Sequence, residues 1–474
     1  MIEVRNLIGG RLVGGAMAEI ENPATLKVAG LAPIATAADV DAAVMAARRA
    51  LGGPWRDEAL RMTCLKKAAE IIERESERLA ALLSSEQGKP LAAARMEMAI
   101  ARRILLHYAR WQAEPNVLRE SESEHVSMER RPLGVAGLIV PWNFPIAILF
   151  MKLGPALRAG NSLVVKPAPT TPLATLELLR AVSDCMPEAV INTVTGGVEI
   201  GQAVTTHPGI TKISFTGSTA TGRAVMAAAA PGLKRLTLEL GGNDAAIVLD
   251  DADLSRTASR LYASAFSNAG QVCAAVKRVY VQRRLYQPMI DALEATARTI
   301  TVGPGFEASS QMGPVHSRTQ CDFVRSLLQE AAGAGARVFN DGPALPDLPG
   351  HFLRPAIVSG LTQQALLVQR EQFGPALPIL PFDHEEDAIA MAEDSEFGLG
   401  ASVWSADQDR ALALGRRLNT GSLYINAHAV PPDPEIPFGG AKQSGIGMEL
   451  GDWGVDEFSQ QCVVRIEKLT GETR

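Results

Sequence analysis

The sequence predicts an α/β protein built on two doubly wound parallel sheets. Short apolar runs alternate with helical stretches, and they do so in two separate regions of the chain. At 474 residues the chain has room for about two to four domains of roughly 100–200 residues each. Strands that are apolar throughout belong to a sheet buried on both faces, with helices on each side.

The elements follow in order. The first residues, MIEVRNLIGGRLVGG, carry charges at Glu3, Arg5 and Arg11, and no apolar core of a signal peptide follows. A soluble, cytoplasmic protein is expected. Residues 56–112 read as long amphipathic helices, as in CLKKAAEIIERESERLAALL. SESEHVSMERRP (121–132) is polar and reads as a loop or an exposed strand. VAGLIV (135–140), SLVVK (162–166), VINTVTG (190–196), KISFTG (212–217) and RLTLELGG (235–242) read as short buried strands. Helical stretches lie between them: AILFMKLGPALRAG, PLATLELLRAVSD, VEIGQAVTT and TGRAVMAAAA. A second alternating region begins at AAIVLDD (245–251) and runs through KRVYVQ, RVFN, FLRPAIV, ALPILPF and GSLYIN. A cleft between two such domains is the default ligand site. The terminal segment DEFSQQCVVRIEKL reads as a strand, either an ordinary edge strand or one that pairs with a partner subunit's sheet.

Several classes are excluded. Leu133 to Met151 is 19 residues without a charge, close to a membrane span. Pro141, Asn143 and Pro145 at its centre would break a helix and leave an amide in lipid, so a strand, a tight loop and a helix start are expected instead. The formal net charge of −6, without a long basic run, makes the chain a poor nucleic-acid binder. The five cysteines (Cys64, Cys185, Cys273, Cys321 and Cys462) are odd in number and widely spaced, with no C-x-x-C pair. Neither a disulfide framework nor a zinc site is read.

The residues with chemical potential each admit an ordinary reading. No G-x-G-x-x-G follows a strand, so the usual dinucleotide fingerprint is absent. FTGSTATG (215–222) places Gly217 and Ser218 between a strand and a helix, where a phosphate can approach the helix N-terminus, or where a plain turn suffices. It is not a P-loop, because Arg223 and Ala224 stand where Lys and Ser/Thr are needed. Cys273 in FSNAGQVCAAVKR follows a Gly-Gln turn, and a lone Cys is ordinarily a small buried hydrophobe. Glu239 in LELGGND lies in an apolar strand, where burial would raise its pKa toward that of a general base. The plainer reading is a strand-end Glu bound to backbone amides. Asn143 sits in PWNFP (141–145) between two prolines, as a turn cap or as a donor to an oxyanion.

Taken together, PWNFP, KPAPTTP, FTGSTATG, LELGGN, GQVC, EQFGP and PFGGAKQSGIG occur in the order and spacing of the aldehyde dehydrogenase superfamily. The resemblance runs from NPAT (22–25) to the terminal strand and is closest to the non-phosphorylating, NAD(P)-dependent bacterial type. It implies a Rossmann-like cofactor domain (1–120 and 133–242), a catalytic domain (243–440) and a small β oligomerisation arm (121–132 and 455–474). A homodimer or homotetramer is expected. By the same resemblance Cys273 is the nucleophile, attacking as a thiolate, Asn143 the oxyanion donor and Glu239 the base for thioester hydrolysis. Lys166 matches the adenosine-ribose contact, Gly217 and Ser218 the pyrophosphate turn, and Trp142 a neighbour of the phosphates. Glu371 and Phe373 match the pair that holds the nicotinamide ribose and ring. NAD is the expected cofactor, with NADP possible. Pro169 departs from the pattern: NAD-preferring relatives often carry a Glu there, and no Arg in KPAPTTP replaces it to hold a 2′-phosphate.

The expected substrate mouth comprises Ile148, Met151, Val272, Ala274 and the loop NAHAVPPDPEIPF (426–438). Its apolar character points to a medium aliphatic or aromatic aldehyde. His428, Asp433 and Glu435 in that loop would suit a cationic aminoaldehyde, unless they are ordinary solvated charges. Two other readings compete. A CoA-acylating relative typically lacks the general-base Glu, and a non-catalytic NAD-binding relative has no need for Cys273, Glu239 and Asn143 together.

Overall fold

The structure, a computed structural model, describes residues 1–113 and 116–468. Five short, mostly buried strands form a parallel sheet in the order Ile191–Thr193, Ser162–Lys166, Val135–Ile139, Lys212–Thr216 and Arg235–Glu239, and Gly445–Ile446 is added antiparallel at one edge. The chain winds outward from Val135–Ile139 in one direction and then returns to lay Lys212–Thr216 on its other side. The strand order therefore reverses between these two strands, and a crevice opens beyond their carboxyl ends. The helix Pro145–Arg158 follows the first of them and is buried along its whole length, which explains its almost charge-free sequence.

The second sheet runs Arg337–Phe339, Ala356–Ser359, Ala376–Phe382, Val276–Gln282, Asp244–Val248, Gly400–Trp404 and Ser422–Ile425. All neighbours are parallel except the first pair. Two long helices, Glu58–Gln87 and Leu91–Tyr108, pack beside the first sheet, as the apolar spacing of 56–112 predicts. Asp57 caps the first by accepting from the N–H of Ala59, and Gly88 ends it in a left-handed turn (φ 96°).

The strands read from sequence are present; strands in the first 33 residues were not read, and three further differences bear on the two large sheets and the arm. Gly400–Trp404 is a central strand that the alternation of apolar runs did not reveal, because its glycine and small residues carry little β signal. In the terminal segment, Asp456 and Glu457 close the helix Gly451–Glu457, and the strand begins only at Ser459. Gly445–Ile446 lies past the expected end of the catalytic domain and returns to the first sheet, placing Gly445 opposite Glu239.

The polar stretch 121–132 contains a strand. Glu124–Pro132 pairs antiparallel with Ser459–Glu467 on one side and with Asn116–Glu120 on the other. The arm thus takes in residues 116–120, which the sequence reading assigned to the cofactor domain. Within the chain nine consecutive residues of Glu124–Pro132 and Ser459–Glu467 pair in register, from Ser459 opposite Pro132 to Glu467 opposite Glu124. The outer edge of Ser459–Glu467 has no in-chain strand partner among the described residues. Residues 114–115 of the expected cofactor domain and 469–474 of the expected arm lie outside the described residues.

Candidate active site

The carboxyl ends of the first sheet face the amino ends of the second. Cys273 precedes the strand Val276–Gln282, Glu371 and Phe373 precede Ala376–Phe382, and Asp244 opens its own strand. Opposite them, Trp142 follows Val135–Ile139, Gly217 and Ser218 follow Lys212–Thr216, and Glu239 ends Arg235–Glu239. Residues more than a hundred positions apart thereby meet in one cleft.

The cofactor-side residues fit a dinucleotide. The helix Thr219–Ala229 starts at the reversal crevice with Ser218 as its cap, so its first N–H groups point where a pyrophosphate would lie. Lys166 is 6% exposed at the end of its strand, and its Nζ makes only a 3.3 Å bond to the Pro167 carbonyl. Burial lowers its pKa to about 8. Pro169 is exposed three residues on and offers no side-chain acceptor. Trp142 stacks on His316 (4.4 Å between centroids) and meets Phe373 edge-on at 5.6 Å, giving an aromatic wall. The Oε1 of Glu371 accepts from the N–H of Gly242 at 3.1 Å, and burial pushes its pKa up to about 7.

The nucleophile sits after a strained turn. Asn268, Ala269 and Gly270 all have positive φ (49°, 56° and 74°). A Cβ on Gly270 would collide with the carbonyl of Gly374, so only glycine lets these two loops touch. Polar bonds brace the turn. Asn143 Nδ2 donates to the Gln271 carbonyl at 2.9 Å, and Asn268 Nδ2 donates to the Asn143 carbonyl at 3.1 Å. Lys89 also donates to that carbonyl at 2.8 Å and pairs with buried Glu97. Glu97 in turn accepts from the N–H groups of Ile146 and Ala147 at the start of the buried helix. Asn143 is therefore held from both sides, and one N–H of its amide remains uncommitted. Burial, together with Glu239, Glu371 and Asp244, pushes the Cys273 thiol up to about 12.

Glu239 is 3% exposed, and among the described residues neither of its carboxylate oxygens has a hydrogen-bond partner. The plainer reading, a Glu bound to backbone amides, is thereby excluded. Burial first, then the nearby Glu449, raises its pKa well above the usual value, and Lys152 opposes this. Lys152 is paired with Glu449 behind it.

Cys273 and Glu239 open into one cavity of about 520 Å³. Met96, Ile100, Phe144, Ile148, Met151 and Phe438 make its apolar walls. All four mouth residues expected from sequence, Ile148, Met151, Val272 and Ala274, line it. Asp433 and Glu435 do not. His428 does, but its Nε2 lies 3.3 Å from the buried carboxylate of Asp244 and so is directed into the protein. The supporting residues Lys89, Glu97, Lys152, Glu449, Asp244 and Lys277 were not singled out from sequence. A charged residue inside a run whose neighbours are apolar was the available signal, as for Lys152 in AILFMKLG.

The sequence matches the aldehyde dehydrogenase family over residues 14–464. Geranial dehydrogenase of Castellaniella defragrans is 36% identical over 451 residues, 93% of either chain. Among solved structures, the NAD+ complex of aldehyde dehydrogenase from Bacillus cereus superposes with a TM-score of 0.94 at 35% identity, covering 98% of this chain and 97% of its own. Betaine aldehyde dehydrogenase from Staphylococcus aureus in complex with NAD+ gives a TM-score of 0.94 at 30% identity, covering 99% and 96%.

Proposed function

This chain belongs to the aldehyde dehydrogenase family, and on that premise we propose which residues run its reaction and which aldehydes it admits. The enzyme oxidises an aldehyde to a carboxylic acid with NAD+, through a cysteine thiohemiacetal and a thioester that water hydrolyses. Cys273 Sγ bonds to the aldehyde carbon while its proton passes to a base. The uncommitted N–H of Asn143 and the backbone N–H of Cys273 stabilise the oxygen as it gains charge. When bound, NAD+ would supply the hydride acceptor, and Lys166, Gly217, Ser218, Trp142, Glu371 and Phe373 would hold it, with Pro169 on the side expected for the adenosine ribose. Glu239 takes the proton of the hydrolytic water. A carboxyl whose pKa burial has raised is a base matched to neutral pH.

The observation that carries this reading is that Cys273 and unpartnered Glu239 open into the same apolar cavity. The test is NADH absorbance with an aldehyde panel, with and without CoA. Turnover without CoA is expected. Strict dependence on CoA would favour the acylating reading, and NAD binding without turnover the non-catalytic one. The cavity walls favour a medium apolar aldehyde, aliphatic or aromatic, over a cationic one. The similarity to a geranial dehydrogenase agrees with this. All five cysteines are free thiols, which fits the reducing cytoplasm as its compartment. The open edge of Ser459–Glu467, with Val463 and Ile466 more than half exposed, supports a homodimer or homotetramer.

A further inference from the structure

The apolar cavity above Cys273 has one polar side. Arg260 and Ser264 on the helix Leu254–Phe266, and Ser267 directly after it, follow at helical spacing, and all three line the cavity. This stripe runs about 10 Å along the helix axis. Ser267 leads into the strained turn before Cys273, so the other end of the stripe, Arg260, lies away from the nucleophile. Arg260 is exposed, as are the lining residues Met96 and Val430, whereas the two lining acids, Glu239 and Glu449, are each 3% exposed. Arg260 thus stands at the mouth and the carboxyl groups at the closed end. The rim is braced from two helices. Arg260 Nη1 donates to the Asn426 carbonyl at 2.8 Å, where the loop 426–438 begins. Arg103, on the helix Leu91–Tyr108, donates to the Pro432 carbonyl farther along that loop.

We infer that Arg260 forms a subsite for an anionic tail, and that the substrates include aldehydes whose apolar chain ends in a carboxylate, the half-aldehydes of medium-chain diacids. This rests on the reading above, in which the aldehyde carbon meets Cys273 in this cavity. Among the described residues Arg260 makes no ion pair and no side-chain hydrogen bond beyond the one to Asn426, so most of its N–H donors remain for a ligand. The other basic lining residue, His428, is turned to Asp244. Arg260 is therefore the cation that an entering molecule meets. Its planar fork matches a carboxylate through two parallel N–H···O bonds. A substrate with its aldehyde at Cys273 lays its chain along Ile100, Phe144, Ile148 and Met151 and brings its far end out to the mouth. There a carboxylate meets Arg260 and stays partly hydrated, so little desolvation opposes the contact. The reverse orientation would carry the carboxylate into the closed end beside Glu239 and Glu449, where burial and like charge both oppose it. Arginine at the mouth and acids at the base thus fix which end of such a molecule reaches the nucleophile.

The test is NADH production by the full-length enzyme from matched pairs, each a straight-chain aldehyde and the diacid half-aldehyde of the same length, from succinic to sebacic semialdehyde. The quantity read is the ratio of kcat/KM within a pair, half-aldehyde over plain aldehyde, which is independent of how much of a variant folds. In wild type the ratio is expected to reach about five- to tenfold at a medium chain length. It should stay near unity for succinic semialdehyde, whose carboxylate is too close to the aldehyde to reach the mouth. Added salt should shrink the preference. Arg260→Gln should bring the ratio near unity at every length, and Arg260→Lys should keep most of it. Both variants retain a donor for the Asn426 carbonyl, so a residue that only braced the loop would give one ratio in both. A wild-type ratio near unity at every length, or an undiminished ratio in Arg260→Gln, would overturn the subsite and leave aldehyde oxidation at Cys273 standing. Oxidation of neither member of any pair without CoA would overturn the reading beneath it, and this inference with it.

Discussion

Glu239→Gln separates the two halves of the reaction. Neither oxygen of Glu239 is hydrogen-bonded among the described residues, so the amide breaks no hydrogen bond seen there. The substitution also leaves the fold intact on electrostatic grounds. A carboxyl whose pKa is raised on folding costs stability as pH rises from its unfolded value through its folded one, and a neutral Gln carries no such cost. The loss is therefore chemical. Removing a positioned general base slows proton transfer by roughly 10²–10⁴, or about 3–5 kcal/mol of barrier. The loss falls on thioester hydrolysis if acylation does not need the base. Stopped-flow NADH absorbance should then show a burst of about one equivalent per active site, followed by a steady state slowed by that factor. The wild-type steady-state rate should decline at acid pH, where Glu239 holds its proton, and the variant should lose that limb. A steady-state rate equal to wild type, with an unchanged pH profile, would refute the general-base role.

Other substitutions test the remaining assignments. Cys273→Ser should abolish aldehyde oxidation while NADH fluorescence titration shows cofactor binding retained; near wild-type oxidation would contradict the nucleophile assignment. Wild type should discriminate weakly between NAD and NADP, and Pro169→Glu should shift kcat/KM toward NAD by roughly tenfold to a hundredfold, the scale of one charge-assisted contact at about 1–3 kcal/mol. Met151→Trp fills the apolar cavity, so kcat/KM should fall roughly tenfold or more for long aldehydes and little for short ones; an equal effect on both would show that the cavity does not hold the substrate chain. Deleting residues from Ser459 onward strips Glu124–Pro132 of its partner strand and should give monomers or aggregates with lost activity; light scattering of the full-length protein showing a stable, active monomer would contradict the oligomer.

The sequence by itself determined the two parallel sheets, because strands buried on both faces read as short apolar-rich runs between helical stretches, and it located Cys273, Glu239 and Asn143 through motifs that surround them with glycine, proline and small residues. The buried helix Pro145–Arg158 was also legible, since a charge-free stretch is a local signal, whereas the break between the two long helices at Gly88 was not read from the sequence. Tertiary structure decided what surrounds those residues. Lys89 and Glu97 hold Asn143 from a helix hairpin about fifty residues away, and Lys152 and Glu449 lie behind Glu239 from segments nearly three hundred residues apart. The terminal strand turned out to pair with its own chain's arm, and Cys273 to lie near three carboxyl groups, Glu239, Glu371 and Asp244. A motif records which side chains the chemistry needs, but the burial and charge that set their pKa values depend on distances through space, and those exist only once distant segments have packed together.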